Sequence, residues 1–253
     1  MSDLLGERMQ AWYEDRAQVY LPRRTYVIMR LDIKGCKRIA EALAFEKPFD
    51  IGFCQGMDET AAALCRNING SQLAYVQNDE INVLVTDFAR AATEPWAGYS
   101  VQRMCSMSAS MATGTLTQWL QRSCSTIKDM VTPVFEVRVF AIPDPVEVAN
   151  YFVHRQKVCA RGAAQVIARQ HYSDDELRGR TAPELQAMIV EKGDNWGSYN
   201  PRFIYGGLVE YQYIQEQNKG VWRVNTSAPA FTADQGFLPT HIPEPGYGVK
   251  GER

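Results

Sequence analysis

Two apolar runs that carry acidic residues at their edges constrain the fold of this chain more than any other feature. Residues 26–31 are nearly all apolar and lead directly to Asp32, which is typical of a β-strand buried on both faces. Residues 73–85 form a second β-rich run, interrupted at its centre by the polar stretch Asn78-Asp79-Glu80. This pattern predicts a β-hairpin whose turn carries the acidic residues.

The acidic residues suggest a metal site, although each is weak evidence alone. An Asp at a strand end is often only a turn former or the cap of the following helix. Asp79 and Glu80, however, are consecutive within a predicted hairpin, and acidic residues have a poor propensity for β-structure. Repulsion between their two negative charges would also lower the stability of the fold, so we expect a counter-charge nearby. If the two runs are neighbours in one sheet, Asp32 and Asp79 converge on hard, oxygen-seeking cations. A pair of such cations is used in phosphoryl and nucleotidyl transfer.

The segments around these runs predict an α+β fold. Helical periodicity covers residues 54–68 and 98–121, and alternation predicts a strand at residues 134–140. The order is then strand, helix, hairpin, helix, strand. It matches a ferredoxin-like antiparallel sheet with helices on one face, the core of polymerase palm domains and nucleotide cyclases. The fold alone implies no activity, because the same core also serves as a plain binding module.

The flanking segments predict an N-terminal helix and a C-terminal elaboration. Residues 3–20 are amphipathic, so we expect a helix that packs on the domain. Another helix follows Pro145, and its basic residues form either a positive face or an ordinary solvated surface. These residues are His154, Arg155, Lys157, Arg161 and Arg169. We predict a palm-like core over residues 1–145 and a helical elaboration over residues 146–253, packed on the same domain and ending in an extended tail.

Composition and charge indicate a protein with no global attraction to nucleic acid. The chain has 253 residues, enough for a substantial core, and a formal net charge of −2 at pH 7. An RNA partner would therefore have to be held by a local basic patch. The N-terminus lacks the features of a signal peptide, and no apolar run approaches membrane-spanning length. The six cysteines show no spacing suited to zinc, so we expect free thiols, a cytoplasmic location and no membrane partner.

Several motifs, taken in order, resemble those of a known family. Arg30-Leu-Asp32-Ile-Lys-Gly-Cys-Lys37 is similar to the family motif Arg-x-Asp-Gly-x-x-Phe-His, and Lys47-Pro-Phe-Asp50 is similar to Lys-Pro-x-Asp. Asn78-Asp79-Glu80 is similar to the family's Ser-Asp-Glu hairpin, and the likeness extends through Tyr151-Phe-Val-His-Arg-Gln156 to about residue 207. The chain thus resembles tRNA-His guanylyltransferase and its relatives, the reverse (3′–5′) polymerases that rebuild RNA 5′ ends.

The resemblance implies a nucleotidyltransferase that binds magnesium and nucleoside triphosphates. Asp32 and Asp79 would bind two Mg²⁺ ions together with the backbone carbonyl of Ile33, and Glu80 would support this site as a third catalytic acid. The triphosphate of ATP or GTP would be bound by residues of the first turn, by the hairpin and by two further basic residues. These nucleotide-binding residues are Asp32, Ile33, Lys34, Gly35, Cys36, Lys37, Lys47, Asn78, Asp79 and Arg103.

The resemblance also implies a reaction and its partners. In this family the 5′-monophosphate of a tRNA or another RNA is first activated by a nucleoside triphosphate, and the 3′-hydroxyl of an incoming nucleotide then attacks. Metal ions suit both steps, because they lower the pKa of an attacking hydroxyl and offset charge on a leaving group. Members of the family work as tetramers, so we expect an oligomer and specifically a tetramer.

The sequence departs from the family motifs at positions that bear on the substrate. Ile33, Cys36 and Lys37 replace the motif glycine, phenylalanine and histidine, and Asn78 replaces the hairpin serine. Residues 160–163, which read Ala-Arg-Gly-Ala, stand where the family has His-Ile-Asn-Asn. Groups that cannot hydrogen-bond cannot penalise a mismatched partner. We therefore expect template-directed addition to 5′-truncated RNAs rather than guanylylation confined to tRNA-His.

Two other functions stay open from the sequence. A nucleotide cyclase shares the palm fold, but Gln77 and Asn78 stand where a diguanylate cyclase carries paired glycines. A non-catalytic nucleotide-binding module is the third possibility, and it would have no need of acidic residues at both position 32 and position 79.

Overall fold

A six-stranded antiparallel sheet forms the centre of the computed structural model, which describes residues 4–88, 93–123 and 132–245. The strands are β1 (Tyr26–Lys34), β2 (Ser71–Gln77), β3 (Glu80–Thr86), β4 (Val134–Ile142), β5 (Gly207–Ile214) and β6 (Lys219–Asn225). Their order in the sheet is β4-β1-β3-β2-β5-β6. The first four strands confirm the predicted palm-like sheet. β5 and β6, which the sequence interpretation missed, extend it at one edge through the antiparallel pairing of β5 with β2.

Helices cover both faces of this sheet. The α-helices of the described residues are α1 (Leu4–Met9), α2 (Cys36–Ala42), α3 (Ile51–Asn67), α4 (Val101–Ser123), α5 (Pro145–Ala168), α6 (Asp174–Leu177), α7 (Ala182–Glu191), α8 (Pro201–Tyr205) and α9 (Phe237–His241). None of the helices in these described ranges is long and apolar enough to cross a membrane. The two long palm helices, α3 and α4, differ from the predicted bounds by only a few residues.

The alternation of β1 divides the core into two layers. Val27, Met29 and Leu31 pack with α3 and α4 on one face of the sheet, as expected for the palm helices. Tyr26 and Ile28 point to the opposite face, where they pack with α5 and the C-terminal tail. Successive side chains of a strand point to opposite faces, so one buried strand serves both layers. The elaboration after β4 therefore supplies the second helical layer.

Local sequence signals set the starts of the long helices. Asp50 precedes α3, and its Oδ1 accepts a hydrogen bond from the backbone N–H of Phe53 at 2.7 Å. Asp144 precedes α5 and accepts from the N–H of Val146 at 2.7 Å, with Pro145 in the first turn. Both are N-caps that satisfy amides without an intrahelical partner, and Pro fits the first turn because it has no N–H to lose.

The N-terminal segment does not pack on the domain, so that prediction is wrong. Residues 4–17 form α1 followed by a π-helical turn and a 3₁₀ turn, and none of them is buried. Leu4 is 73% exposed and Trp12 is 58% exposed. The amphipathic pattern was recognised, but its apolar side faces solvent instead of the core.

The C-terminal tail contacts the core and has little regular structure beyond β6 and α9. Phe231 is buried beside Tyr75 of β2, with ring centroids 5.6 Å apart. Gln156 of α5 holds this part of the tail, because its side chain accepts from the Phe231 N–H at 2.8 Å and donates to the Pro229 carbonyl at 2.8 Å. The division at residue 145 stays a prediction, since β5 and the tail complete the same sheet and core as the palm.

A buried ion pair joins the elaboration to the palm. Arg202 of α8 donates two hydrogen bonds to Asp58 of α3, Nη2 to Oδ1 at 2.7 Å and Nε to Oδ2 at 3.1 Å. Both residues are almost completely buried. Burial raises the pKa of the Asp58 carboxyl, and the charge of Arg202 offsets this only in part. Removing one partner would leave an uncompensated charge in the core.

We predict that Arg202→Met lowers the free energy of unfolding by about 3–5 kcal/mol, because Asp58 is then buried without its partner. Urea denaturation followed by circular dichroism measures this change. The matched control is Arg178→Met, since Arg178 pairs with Asp175 on the surface, where an ion pair contributes little. Equal losses in the two variants would show that the buried pair has no special role.

Candidate active site

The predicted acidic residues meet at one end of the central sheet. Antiparallel pairing of β1 with β3 places Asp32 opposite Glu80. The backbone N–H of Ile33 donates to the carbonyl of Asp79 at 3.0 Å, which joins the end of β1 to the hairpin turn. The expected convergence of the two runs is thus confirmed, whereas the metal and catalytic roles of these residues stay predictions.

Asp32 has one satisfied and one unsatisfied carboxylate oxygen. Its Oδ1 accepts from Arg30, Nη2 at 2.7 Å and Nε at 3.3 Å. Its Oδ2 is buried and has no hydrogen-bond partner among the residues that the structure describes. Burial raises the pKa of Asp32, the hydrogen bond from Arg30 opposes this, and the charge of Glu80 adds to the increase. The carboxylate therefore lacks positive charge on one side.

Asp79 has a similar need for a cation. Burial raises the pKa of its carboxyl group, a backbone hydrogen bond opposes the increase, and the negative charges of Asp32 and Glu80 add to it. Carboxylates whose pKa values are raised by burial and by neighbouring negative charge are stabilised in their ionised form by a nearby cation.

The donor set at this edge fits magnesium. No group of three or more His, Cys, Asp or Glu side chains suited to a metal is present in the described ranges, so the side-chain ligands would be Asp32 and Asp79 alone. Mg²⁺ usually binds through one or two carboxylates and fills its other positions with water and phosphate oxygens. The unpartnered Oδ2 of Asp32 and the carbonyl of Ile33 are oxygen donors of this kind. The side chain of Ile33 lies in the core, 5% exposed, so its replacement of the family glycine adds no bulk outside the core.

Glu80, in contrast, is surrounded by donors. Its Oε1 accepts from Gln77 Nε2 at 2.7 Å, Asn82 Nδ2 at 2.8 Å and Arg155 Nε at 2.8 Å. Its Oε2 accepts from Arg155 Nη2 and lies 2.8 Å from Arg30 Nη2. Burial alone would raise the pKa of Glu80, but the hydrogen bonds outweigh it and lower the pKa. Glu80 is thus an ionised, fully partnered carboxylate.

The turn after β1 leads into a short helix beside the acidic edge. Gly35 adopts a left-handed conformation with φ 73°, which glycine reaches without steric cost. α2 begins at the next residue, Cys36, so the first amides of this helix have no intrahelical partner. Lys34 and Lys37 flank this turn and are exposed. The predicted turn is therefore present with its two lysines, of which Lys37 lies 3.8 Å from Glu41, and its contact with phosphates stays a prediction.

A cavity of about 740 Å³ adjoins this edge. It is lined by Cys36, Lys37, Ala40, Glu41, Ala44, Phe45, Glu46, Lys47, Pro48, Phe49, Asp50, Phe53, Cys54, Asn78, Asp79, Val166, Arg202 and Phe203. Its walls combine aromatic rings with a few polar groups, and its size is typical of small-molecule sites. Burial raises the pKa of the Cys36 thiol to about 12, with a further contribution from Asp79, so this thiol is neutral and is no nucleophile.

The cavity brings together five of the predicted nucleotide-binding residues. These are Cys36, Lys37, Lys47, Asn78 and Asp79. Asp32, Ile33, Lys34 and Gly35 belong to the adjoining end of β1 and its turn. Arg103 lies on the exposed side of the first turn of α4 and does not line the cavity. The structure thus groups all of the predicted residues except Arg103.

Sequence reasoning missed the residues that hold Glu80, above all Arg155. The sequence left a positive face and an ordinary solvated surface open for α5, and the exposure of His154, Lys157 and Arg161 agrees with either. Arg155 is instead 8% exposed and pairs with Glu80. A signal was present, because Arg155 continues the apolar stripe of Val148, Phe152 and Cys159 on one side of the helix. A charge in an apolar stripe is buried and needs a partner.

Comparisons with known proteins agree with this site and fold. A family model described as tRNAHis guanylyltransferase matches residues 6–143. A tRNA(His) guanylyltransferase of Debaryomyces hansenii is 26% identical over 220 residues, which cover 80% of this chain and 80% of the relative.

Solved structures of a bacterial tRNA(His) guanylyltransferase-like protein are also similar to this chain. The complex with ATP is 27% identical and has a TM-score of 0.83, covering 94% of this chain and 98% of the bacterial chain. The complex with GTP is 25% identical and has a TM-score of 0.81, covering 95% and 99% respectively. The family model spans more than half of the chain and the fold agrees along almost its whole length, so the chain belongs to the tRNAHis guanylyltransferase family and is a nucleotidyltransferase.

Proposed function

We propose that this chain is a magnesium-dependent nucleotidyltransferase that adds nucleotides in the 3′–5′ direction to the 5′ ends of tRNA or other RNA. The observation that carries the proposal is the buried, unpartnered Oδ2 of Asp32, at an edge where the backbones of Ile33 and Asp79 are hydrogen-bonded. A buried charged oxygen is costly unless a donor or a cation completes it. Family membership supports the reaction, and the adjoining cavity supports nucleotide binding.

Each group at the site has a part in this reaction. Asp32, Asp79 and the Ile33 carbonyl would hold two Mg²⁺ ions, which lower the pKa of an attacking hydroxyl and offset charge on the leaving pyrophosphate. Lys37 and Lys47 reduce the repulsion between the triphosphate and the acidic edge. The aromatic rings of the cavity offer stacking surfaces to a base, with ATP or GTP as the activating nucleotide. The bacterial protein of similar structure is known in complexes with each of these two nucleotides.

The outer side of α5 supports an RNA partner. His154, Lys157 and Arg161 are exposed and lie at helical spacing along one face. Gly162 follows this stripe and approaches the hairpin tip, since a Cβ there would lie 3.5 Å from Asn78 Nδ2. Basic side chains beside the acidic edge can neutralise RNA phosphates, which a chain of net charge −2 must do locally.

Labelled nucleotides distinguish this function from the two alternatives. We expect label from α-labelled GTP or ATP to enter a 5′-monophosphorylated RNA in the presence of magnesium. Asp32→Ala and Asp79→Ala should each reduce incorporation at least about a hundredfold, because each removes charge that stabilises the transition state. The exposed variant Asp175→Ala is the matched control.

The alternatives give different products in the same assay. A cyclic nucleotide would indicate a cyclase, and binding without any product would indicate a binding module. Full incorporation by either Asp variant at saturating magnesium would exclude that carboxylate from the mechanism. Circular dichroism checks that each variant keeps the fold.

We further propose that the template strand selects the added nucleotide. Positions 160–163 offer no side-chain amide or imidazole, and Ala163 is completely buried in the core below α5. Ala160, Gly162 and Ala163 therefore supply no hydrogen-bonding side chain that could penalise a wrong RNA, and Arg161 offers its charge to phosphates, which are the same in every RNA sequence. Watson–Crick pairing with the opposite strand would then provide the discrimination.

A 5′-truncated tRNA offered each of the four nucleotides tests this proposal. We expect the added nucleotide to follow the opposing template base, and to change when that base is changed. Intact tRNA-His offered GTP is the comparison substrate. Strict GTP addition confined to tRNA-His would contradict template selection and would show that other residues recognise the tRNA.

We also propose a homo-oligomer, expected as a tetramer. The support is the exposed apolar side of residues 4–17, which includes Leu4, Leu5, Trp12 and Tyr13. Contiguous exposed apolar groups mark interaction surfaces. We predict that light scattering gives a mass about four times that of the chain, and that Leu5→Ser with Trp12→Ser lowers it, whereas Gln10→Ser does not. A monomeric wild-type protein at assay concentration would refute the proposal.

Free thiols support a cytoplasmic location, which we propose as well. Cys36, Cys54, Cys65, Cys105 and Cys159 are free, and the sixth cysteine, Cys124, lies outside the described residues. Thiols are kept reduced in the cytosol, where disulfides are rare. Recovery of the protein in another compartment on cell fractionation would contradict this location.

A further inference from the structure

Glu80 has no position left for a metal ion. A carboxylate offers about four lone-pair sites, and Glu80 accepts four hydrogen bonds from Gln77, Asn82 and Arg155. The guanidinium of Arg30 lies against the same carboxylate. Coordination of a cation would require the loss of at least one of these buried contacts. Glu80 follows Asp79 directly in the chain, but in this arrangement its carboxylate is not free to bind a cation.

Arg30 is shared between two carboxylates. Its Nη2 lies 2.7 Å from Oδ1 of Asp32 and 2.8 Å from Oε2 of Glu80. Both of its hydrogen bonds to Asp32 go to Oδ1, and none reaches Oδ2. An arginine alone with a carboxylate prefers a fork arrangement that engages both oxygens. The second carboxylate therefore keeps Arg30 from occupying the remaining oxygen of Asp32.

The position of Glu80 is itself fixed from α5. Arg155 binds it through two nitrogens, Nε to Oε1 and Nη2 to Oε2. Tyr151, one turn earlier on α5, donates to Asn82 Oδ1, and this orients the Asn82 amide toward Glu80. A carboxylate held at this many points cannot move toward Asp32 or away from Arg30 without breaking buried hydrogen bonds.

We propose that Glu80 is a positioning residue that engages Arg30, so that Oδ2 of Asp32 stays available to a divalent cation, and that Glu80 is not itself a ligand. This inference rests on the metal site of the proposed function. The family resemblance implied that Glu80 supports the metal site, and the inference assigns this support to an action through Arg30. Groups around metal ligands typically change metal affinity by about 10–100-fold when they are replaced.

Direct binding of Mn²⁺, followed by electron paramagnetic resonance without nucleotide or RNA, tests the inference apart from activity. We expect Glu80→Gln to weaken the Mn²⁺ affinity by about tenfold, because Arg30 is then free to take both oxygens of Asp32. We expect the double variant Glu80→Gln with Arg30→Gln to recover most of this loss, because the competitor is gone. Asp32→Ala gives the background of unspecific binding.

Each other outcome overturns the inference in a distinguishable way. An unchanged affinity in Glu80→Gln would show that Glu80 has no influence on the cation. A double variant as weak as Glu80→Gln would show that Glu80 acts on the cation directly. No Mn²⁺ binding above the Asp32→Ala background in the wild-type protein would remove the metal site of the proposed function as well.

Arg30→Gln alone provides a second test that leaves Glu80 paired with Arg155. We expect this variant to bind Mn²⁺ as tightly as the wild-type protein or more tightly, since a competing positive charge is removed. Weaker binding would mean that Arg30 assists the cation, which contradicts the inference. Thermal unfolding of every variant confirms that the comparison is made between folded proteins, and this variant still decides the question if Glu80→Gln fails to fold.

Discussion

The buried ion pair between Arg155 of α5 and Glu80 of β3 is the interaction on which the arrangement of the acidic edge depends. It brings a charged side chain of the second helical layer into the sheet at the point where the hairpin meets β1. Two ions buried this deeply are stable only with good geometry and additional hydrogen bonds, which Gln77 and Asn82 supply. The C-terminal elaboration thus contributes a side chain to the acidic edge and is more than an attachment to the palm.

The palm and its acidic edge could be predicted because they depend on short-range patterns. A buried strand, a hairpin turn and capped helices each leave a periodic signal in the sequence, and the convergence of Asp32 with Asp79 follows once two strands are neighbours. The motif resemblance gave the family, and the fold comparison agrees with it. Part of the cavity lining could also be predicted, because Lys37, Lys47 and Asn78 belong to the motifs that carry the family resemblance.

The features that were missed depend on contacts between residues far apart in the chain. Arg155 and Glu80 are 75 residues apart in the chain. A local sequence pattern can indicate that a charged residue in an apolar helix stripe is buried, but it does not predict which strand provides its partner. β5 and β6 contain Tyr211, Tyr213 and Trp222. Aromatic residues at this spacing are compatible with an exposed surface segment as well as with a strand, so the sequence alone did not indicate strands here. The hydrophobic periodicity of the N-terminal segment correctly predicted a helix. It gave no information about whether the apolar side of that helix packs on the same chain.

Adjacent residues of α5 hold the helix at two places at once, since Arg155 binds the hairpin while Gln156 binds the tail. Turning the helix about its axis or sliding it along the sheet would break both sets of hydrogen bonds together. These hydrogen bonds therefore fix the position of α5 relative to the sheet and the tail. Under the proposed function, an RNA end that binds the outer face of α5 would have to adapt its own shape to that face, and the conformational cost of a poor substrate would fall on the RNA.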